Sequence, residues 1–237
     1  LMYRADIVEQ AGLEMPIEPS YEKLIEMSKT VFEKTGRTND LPLGIDAVRF
    51  YARSRGMQLY NEEGTALGFD DPKYIADLWQ MRVDGLKDGW ILDPGSTSAT
   101  TAFDNLINDY WMGAHWTNEL QAYQDGNGTE LEMVMFPVVE GGTVPPTYFK
   151  PSMFWSVSEK SEVKDAAARF VDFFTNDTDC FDIVGLDRAM PISAKIREYL
   201  TPSFDDTSKR MVAMLDYLAQ DGKTSQIMKP DVAAHGE

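Results

Sequence analysis

The chain has 237 residues, of which 43% are hydrophobic, the composition of a globular protein with a substantial core. Its 39 acidic and 22 basic residues give a net charge of −17, and such a surface repels nucleic acids and anionic membranes. The single cysteine, Cys180, excludes an internal disulfide and a multi-cysteine metal site, and no apolar run in the sequence is long enough to span a membrane.

Helix signals dominate the first half of the chain. Ser20 predicts the start of one helix and Asp71-Pro72 the start of another, because these residues cap backbone N–H groups or fit the first helical turn. We predict that the apolar positions of both helices face a core; they are Leu24, Met27, Val31 and Phe32 in the first, and Ile75, Leu78, Trp79, Val83 and Leu86 in the second. Strands are predicted at Leu41–Ile45, Asp109–Trp116 and Leu131–Phe136, and a further short helix at Thr100–Ile107.

The stretch Phe149–Asn176 predicts a strand that passes into a one-sided helix. Met153–Val157 is aromatic and apolar, as in a buried strand. The helix that follows has one apolar face, formed by Val163, Ala166, Ala167, Phe170, Val171 and Phe174. Such a face needs a sheet to cover, so we predict that it is buried. If the covering strands lie outside this chain, part of the face is exposed instead.

The segment Pro137–Pro146 is the best candidate for a linker, since it contains two glycines and three prolines. We expect it to cross between two domains, so that residues 1–136 and 152–222 form separate cores. The chain shows no leader and opens in mid-pattern at Leu1, which favours a segment of a longer product.

Six motifs, in this order, resemble one family. Residues 2–13 (MYRADIVEQAGL) are similar to the "YNKDLFEKAGL" stretch of extracellular solute-binding proteins of ABC importers, the sugar-binding type that includes maltose-binding protein. The other five are Pro19–Leu24, the helix from Asp71 to Gly89, the pair Phe103 and Trp116, the stretch Ser156–Asn176, and Met190-Pro191. The chain departs from the family pattern at Leu106–Tyr110 and at Lys150–Ser152.

This resemblance implies an α/β, periplasmic-binding-protein-like two-lobe fold that is helix-rich, with the start of one lobe missing. Residues 1–146 would form most of one lobe, residues 147–226 the later part of the second, and residues 227–237 a segment crossing back toward the first. The implied function is to bind a carbohydrate between the lobes and deliver it to a membrane permease, without catalysis and without a cofactor. The implied protein is a monomer outside the cytoplasm, anchored by lipid through a segment not present here.

The ligand-binding candidates come from the resemblance and from the chemistry of sugar sites, which stack aromatic rings on sugars and hydrogen-bond their hydroxyls. Trp116 matches the family position that stacks on sugar, and polar Asn118 and Glu119 follow it. The remaining candidates are Asp46, Arg49 and Tyr51, near a predicted strand end, Phe149 and Trp155, near the crossing, and Arg188, from the opposite lobe. Trp116 and Tyr51 could each belong to the core instead; for Trp111 and Trp79 the core is the preferred interpretation.

Two alternatives stay open. One is a glycan-active enzyme such as a glycosidase, since 39 carboxylates always allow some acid pair, although no H-E-x-x-H, G-x-S-x-G or P-loop pattern is present. The other is a binding protein for a solute other than a sugar, such as a peptide, a polyamine or a metal ion.

Overall fold

A computed structural model describes residues 1–39, 45–91, 93, 109–142, 144–149, 154–186 and 190–224; within these, the side chains of residues 45, 46, 74 and 127 are not described. The helices are α1 (Ala5–Gln10), α2 (Tyr21–Thr35), α3 (Ile45–Ser54), α4 (Lys73–Asp88), α5 (Leu120–Asn127), α6 (Lys164–Asn176), α7 (Thr178–Val184), α8 (Ala194–Leu200) and α9 (Asp206–Leu218). The strands are β1 (Met2–Tyr3), β2 (Met112–Gly113) and β3 (Glu132–Met133), and short 3-10 turns lie at Thr117–Glu119 and Thr201–Ser203.

The three strands form one antiparallel sheet in the order β2–β1–β3. Met2 in the central strand lies opposite Gly113 on one side and Met133 on the other. Successive side chains of a strand point to opposite faces, so Leu1 and Met2 enter different cores. The predictions of strands around 109–116 and 131–136 are therefore confirmed, although each strand is only two residues long.

One face of the sheet packs against α1 and α2. Ser20 caps α2, since its hydroxyl accepts a hydrogen bond of 3.1 Å from the Lys23 N–H. The predicted inward positions Leu24, Met27 and Val31 are each 0% exposed and pack in a core that includes Trp111. The interpretation of Trp111 as a core residue is confirmed. A further core joins α2, α3 and α4 and contains Tyr21, Ala47, Val48, Tyr51, Leu59, Leu78, Trp90, Ile91 and Val139.

The stripe predicted on α4 is only partly buried. Asp71 helps to begin this helix, because its carboxylate accepts a hydrogen bond from the Lys73 N–H at 2.8 Å. Leu78 is buried, but Trp79 and Val83 are both 42% exposed. The interpretation of Trp79 as a core residue is thus wrong. Trp79 and Val83 lie four residues apart on the outer side of the helix, while Leu78 faces α3.

Helix α9 packs on the other face of the sheet, although it begins more than 70 residues after β3 ends. Its Met211, Met214 and Leu218 share a core with Met2, Leu120 and other residues of β1, β3 and α5. Arg210 of α9 also makes polar contacts with this part of the chain. Its guanidinium donates a hydrogen bond to Gln124 Oε1 at 2.9 Å and forms an ion pair with Glu130. The prediction of separate cores for residues 1–136 and 152–222 is therefore wrong for α9. We call residues 1–149 together with α9 the main unit.

Residues 154–204, here called the small unit, pack much more loosely. Their own core consists of Phe181, Ile196 and Leu200, with Leu186 and Phe204 against it. Cys180 on α7 is buried and free, as predicted. Residues 154–157 are exposed and form no strand, so the prediction of a buried strand is wrong for them; Met153 lies outside the described residues.

Helix α6 exists where it was predicted, but it has no buried residue. Phe170 is 55% exposed, and Val171 and Phe174 are only half-buried. The prediction that these three are buried is wrong, and the alternative of an uncovered face describes what is found. The predicted strand at Leu41–Ile45 and helix at Thr100–Ile107 lie almost entirely outside the described residues.

Candidate functional site

Trp116 stands on a short turn between β2 and α5. Its backbone N–H donates to the Glu119 carboxylate at 3.0 Å, and the Glu119 N–H donates back to the Trp116 carbonyl at 2.9 Å. This reciprocal pair closes the 3-10 turn Thr117–Glu119, and Leu120, which is fully buried, anchors the following helix. Glu119 therefore holds the turn in place. Asn118 lies half-buried on the same turn.

Two aromatic side chains next to this turn, His115 and Tyr123, are in contact with each other. The imidazole of His115 lies 3.9 Å, centroid to centroid, from the ring of Tyr123 on α5. Burial lowers the pKa of His115 to about 4. Burial also raises the pKa of the Tyr123 hydroxyl, with a further contribution from the charge of Glu119. At neutral pH the side chains of His115 and Tyr123 are therefore both uncharged.

The indole of Trp116 is 41% exposed, so a large part of an aromatic side chain is presented to solvent from a fixed backbone. An exposed indole beside an amide and a carboxylate can stack on an apolar sugar face and hydrogen-bond the adjacent hydroxyls. Neither His115 nor Tyr123 was identified from the sequence as a supporting residue. The spacing Trp116-x-x-Glu119, which is that of an N-terminal helix cap, was the signal that could have indicated this turn.

The candidates on α3 lie inside the protein. Tyr51 belongs to the core, and its hydroxyl accepts a hydrogen bond of 2.9 Å from Arg55. The ring of Tyr51 also packs edge-on against that of Tyr21, with 5.1 Å between the ring centroids. Tyr51 is therefore a core residue. Arg49 is buried as well. The side chain of Asp46 lies outside the described residues, as does Arg188.

Phe149 and Trp155 are both exposed but have different surroundings. Phe149 follows Tyr148, whose ring lies 4.9 Å below the Arg53 guanidinium of α3. Trp155 packs instead on α6, with its ring 4.5 Å from Phe174 and 6.2 Å from Phe170. The structure thus places Asn118 and Glu119 on one turn with Trp116, leaves Phe149 exposed next to Tyr148, and places Trp155 in the small unit.

Two surface cavities in the described part of the chain lie away from these residues. One, of about 220 Å³, is lined by residues that include Glu18, Phe136, Pro145 and Lys223. The other, of about 380 Å³, lies between α2 and α4 beside Trp90. Neither is lined by a predicted ligand residue. The described residues also include no group of three or more His, Cys, Asp or Glu side chains placed to hold a metal ion, and none of their helices is long and apolar enough to cross a bilayer.

Comparison with solved structures defines the fold. An extracellular solute-binding protein of family 1 from Alicyclobacillus acidocaldarius matches 99% of this chain and 60% of its own, with a TM-score of 0.79 and 22% identity. A periplasmic oligogalacturonide-binding protein from Yersinia enterocolitica, in complex with saturated digalacturonic acid, matches 96% of this chain and 60% of its own, with a TM-score of 0.76 and 18% identity.

An ABC substrate-binding protein from Listeria monocytogenes, in complex with cycloalternan, matches 99% of this chain and 59% of its own, with a TM-score of 0.68 and 16% identity. Two de novo designed esterases also match, at 18% identity, so the fold alone does not decide between binding and catalysis. No family model matches the sequence.

The chain therefore has the two-lobe, helix-rich fold of the periplasmic solute-binding proteins, over nearly its whole length. It spans about 60% of the length of the structures it matches. The fold expected from the six sequence motifs is confirmed.

Proposed function

We propose that this chain is part of the solute-binding component of an ABC importer, and that it binds a carbohydrate between two lobes without chemical conversion. The observation that carries the proposal is the exposed Trp116 indole, held on a capped turn beside Asn118 and Glu119. The binding proteins from Yersinia and Listeria, which have the same fold, are each in complex with a saccharide. We infer that Trp116 provides the stacking surface and Asn118 a hydrogen-bonding group, with Phe149 at the edge of the cleft.

The proposed lobes follow the packing of the chain. Residues 1–146 belong to the first lobe, and α9 is assigned with them because it shares their core. We assign residues from 147 to the end of α8 to the second lobe, as the resemblance implies, with Tyr148 at the boundary because its ring still packs on α3. Closure of the lobes around the saccharide would shift the population toward the form that the permease recognises. We propose a monomer that acts outside the cytoplasm and is attached by a lipid outside these residues, a location supported by the extracellular and periplasmic relatives.

The test is Trp116→Ala, with binding measured by calorimetry against the best ligand from a thermal-shift screen of oligosaccharides. Stacking of one sugar ring on an indole contributes on the order of 1–3 kcal/mol, so we expect a loss of about ten- to a hundredfold in affinity. The matched control is Trp79→Ala, because Trp79 is 42% exposed and Trp116 41%. Both variants should melt close to the wild type, and only Trp116→Ala should lose affinity.

Unaltered binding in Trp116→Ala, or an equal loss in Trp79→Ala, would show that Trp116 is not the stacking residue. Labelled oligosaccharides incubated with the protein should stay intact. Their hydrolysis, abolished by replacing a particular carboxylate, would instead support the glycosidase alternative.

A further inference from the structure

The exposed indole of Trp116 is carried by a short connection between two well-packed elements. Strand β2 ends at Gly113, and both of its residues are buried. Helix α5 begins at Leu120, which is fully buried. The regular structure within residues 114–119 is the 3-10 turn Thr117–Glu119. The direction in which the indole points therefore depends on how this connection is held.

The part of the connection before Trp116 is held by packing. A Cβ atom at Gly113 would lie 2.5 Å from His115 Nε2, so the imidazole lies directly against the end of β2. The imidazole also lies on the ring of Tyr123, with 3.9 Å between the ring centroids. His115 is thus packed between the strand end and α5, which fixes the backbone just before the indole.

The part after Trp116 is held by Glu119. The backbone is extended at Trp116 (φ −80°, ψ 144°) and helical at Leu120 (φ −53°, ψ −49°), so the chain changes conformation within the turn. Reciprocal hydrogen bonds between Trp116 and Glu119 close this turn, and the one from the Trp116 N–H to Glu119 Oε2, at 3.0 Å, depends on a side chain. Without the carboxylate, the Trp116 N–H loses this partner and the turn is held less firmly.

The same carboxylate oxygen has little freedom to bind a ligand. Oε2 already accepts the Trp116 N–H, and turning it toward a saccharide hydroxyl would break the bond that closes the turn. A fixed stacking surface favours binding, because ordering a mobile loop on association reduces affinity. If the turn is closed for only a fraction of the time, the apparent dissociation constant rises by the inverse of that fraction.

We propose that Glu119 is a positioning residue of the saccharide site. Its carboxylate holds the backbone of Trp116 so that the indole is oriented for stacking, and it makes no contact of its own with the saccharide. The inference rests on the proposed function, in which Trp116 is the stacking surface.

The first test is a double-mutant cycle, with affinity measured by calorimetry against the oligosaccharide selected by the thermal-shift screen. Glu119→Ala should lose about three- to tenfold in affinity, since the loss of a cap shifts the turn toward open conformations. Adding Glu119→Ala to Trp116→Ala should cause no further loss, because no indole is left to position. Glu119→Gln should bind like the wild type, since its amide oxygen can accept the same hydrogen bond.

The second test needs no saccharide. Hydrogen exchange of the Trp116 backbone amide, measured by NMR, should be faster in Glu119→Ala than in the wild type and should return toward the wild-type rate in Glu119→Gln. The matched control is Asp71→Ala, which removes another exposed carboxylate that accepts a backbone N–H, that of Lys73 at 2.8 Å. Asp71→Ala should change neither the affinity nor the exchange of the Trp116 amide.

Three results would overturn the inference. Glu119→Gln could lose as much affinity as Glu119→Ala, or the double variant could bind more weakly than Trp116→Ala alone; either result would mean that Glu119 contacts the saccharide itself. Alternatively, the Trp116 amide could exchange equally fast with and without the carboxylate. The proposed function fails on a different result, an unchanged affinity in Trp116→Ala, so the two failures can be distinguished.

Discussion

Helices α2 and α6 have the same kind of sequence and opposite surroundings. Both alternate apolar and charged residues at helical spacing, and α2 (Tyr21–Thr35) buries five of its residues. Helix α6 (Lys164–Asn176) buries none. The difference shows that an apolar stripe determines which side of a helix is able to pack. Whether that side is buried depends on residues elsewhere in the protein. For α2 these residues belong to β2 and α1 and include Trp111; for α6 they include Trp155, whose ring packs on Phe170 and Phe174 and leaves Phe170 more than half exposed.

The sharpest test of this contrast compares Leu24→Ala with Phe170→Ala in the 237-residue chain. Leu24 is 0% exposed, so its truncation leaves a cavity and should cost about 2–5 kcal/mol of unfolding free energy. Phe170 has no such surroundings, and we expect less than about 1 kcal/mol, well below the value for a buried phenylalanine. Urea denaturation, analysed with the same m-value for all variants, measures the free energy of unfolding of both. Equal losses in the two variants would mean that the two helices are equally packed.

The next test adds volume instead of removing it. A Cβ atom at Gly85 of α4 would lie 2.5 Å from the Cδ1 atom of Ile91, so Gly85→Ala should destabilise the main unit by about 1–3 kcal/mol. Its counterpart is Ala166→Leu on the exposed face of α6, which should change stability by less than about 0.5 kcal/mol. Thermal melts of both variants provide the comparison, and a stabilised Gly85→Ala would contradict the close packing between α4 and Ile91.

The smallest expected effect is a dependence on pH that belongs to the main unit. Burial holds the pKa of His115 near 4 in the folded protein, whereas the unfolded chain takes up the proton near the ordinary pKa of 6.5. Protonation therefore favours unfolding, and stability present above pH 6.5 is lost as the pH falls toward 4. The loss is at most about 1.4 kcal/mol for each pH unit.

Replacement of His115 by Gln removes this titration and leaves the carboxylates as they are. Between pH 6.5 and 4.5 the stability of the variant should fall less steeply than that of the wild type, as measured by urea midpoints at each pH. Hydrogen exchange should locate the difference in β1, β2 and α5 and leave α6 unchanged. Parallel curves for the two proteins would show that His115 titrates normally in the folded state.

The tryptophans show the same division between local signals and tertiary context. Trp111 is fully buried and Trp79 is 42% exposed, although the sequence predicted a core position for both. Trp79 neighbours the buried Leu78 on α4, and a shift of one position turns a side chain by about 100° around a helix. A stripe with apolar residues on adjacent positions is therefore too wide for sequence alone to show which edge is covered.

Local features were predictable because they depend on groups a few residues apart. Ser20 and Asp71 accept hydrogen bonds from N–H groups two or three positions later, so their roles as helix starts follow from the sequence. The apolar face of α6 was predictable for the same reason. The family resemblance added the two-lobe fold, which does not follow from spacing alone; that Trp116 lies in the ligand cleft stays a prediction.

Tertiary structure alone decided which apolar surfaces meet. It placed Tyr51 in the core with its hydroxyl bonded to Arg55, attached α9 to strands more than 70 residues away, and left Phe170 exposed. Burial is the removal of surface from water by a partner surface, and these partners are distant in the chain. A sequence therefore shows that a side chain is able to pack, whereas only the assembled chain shows what it packs against.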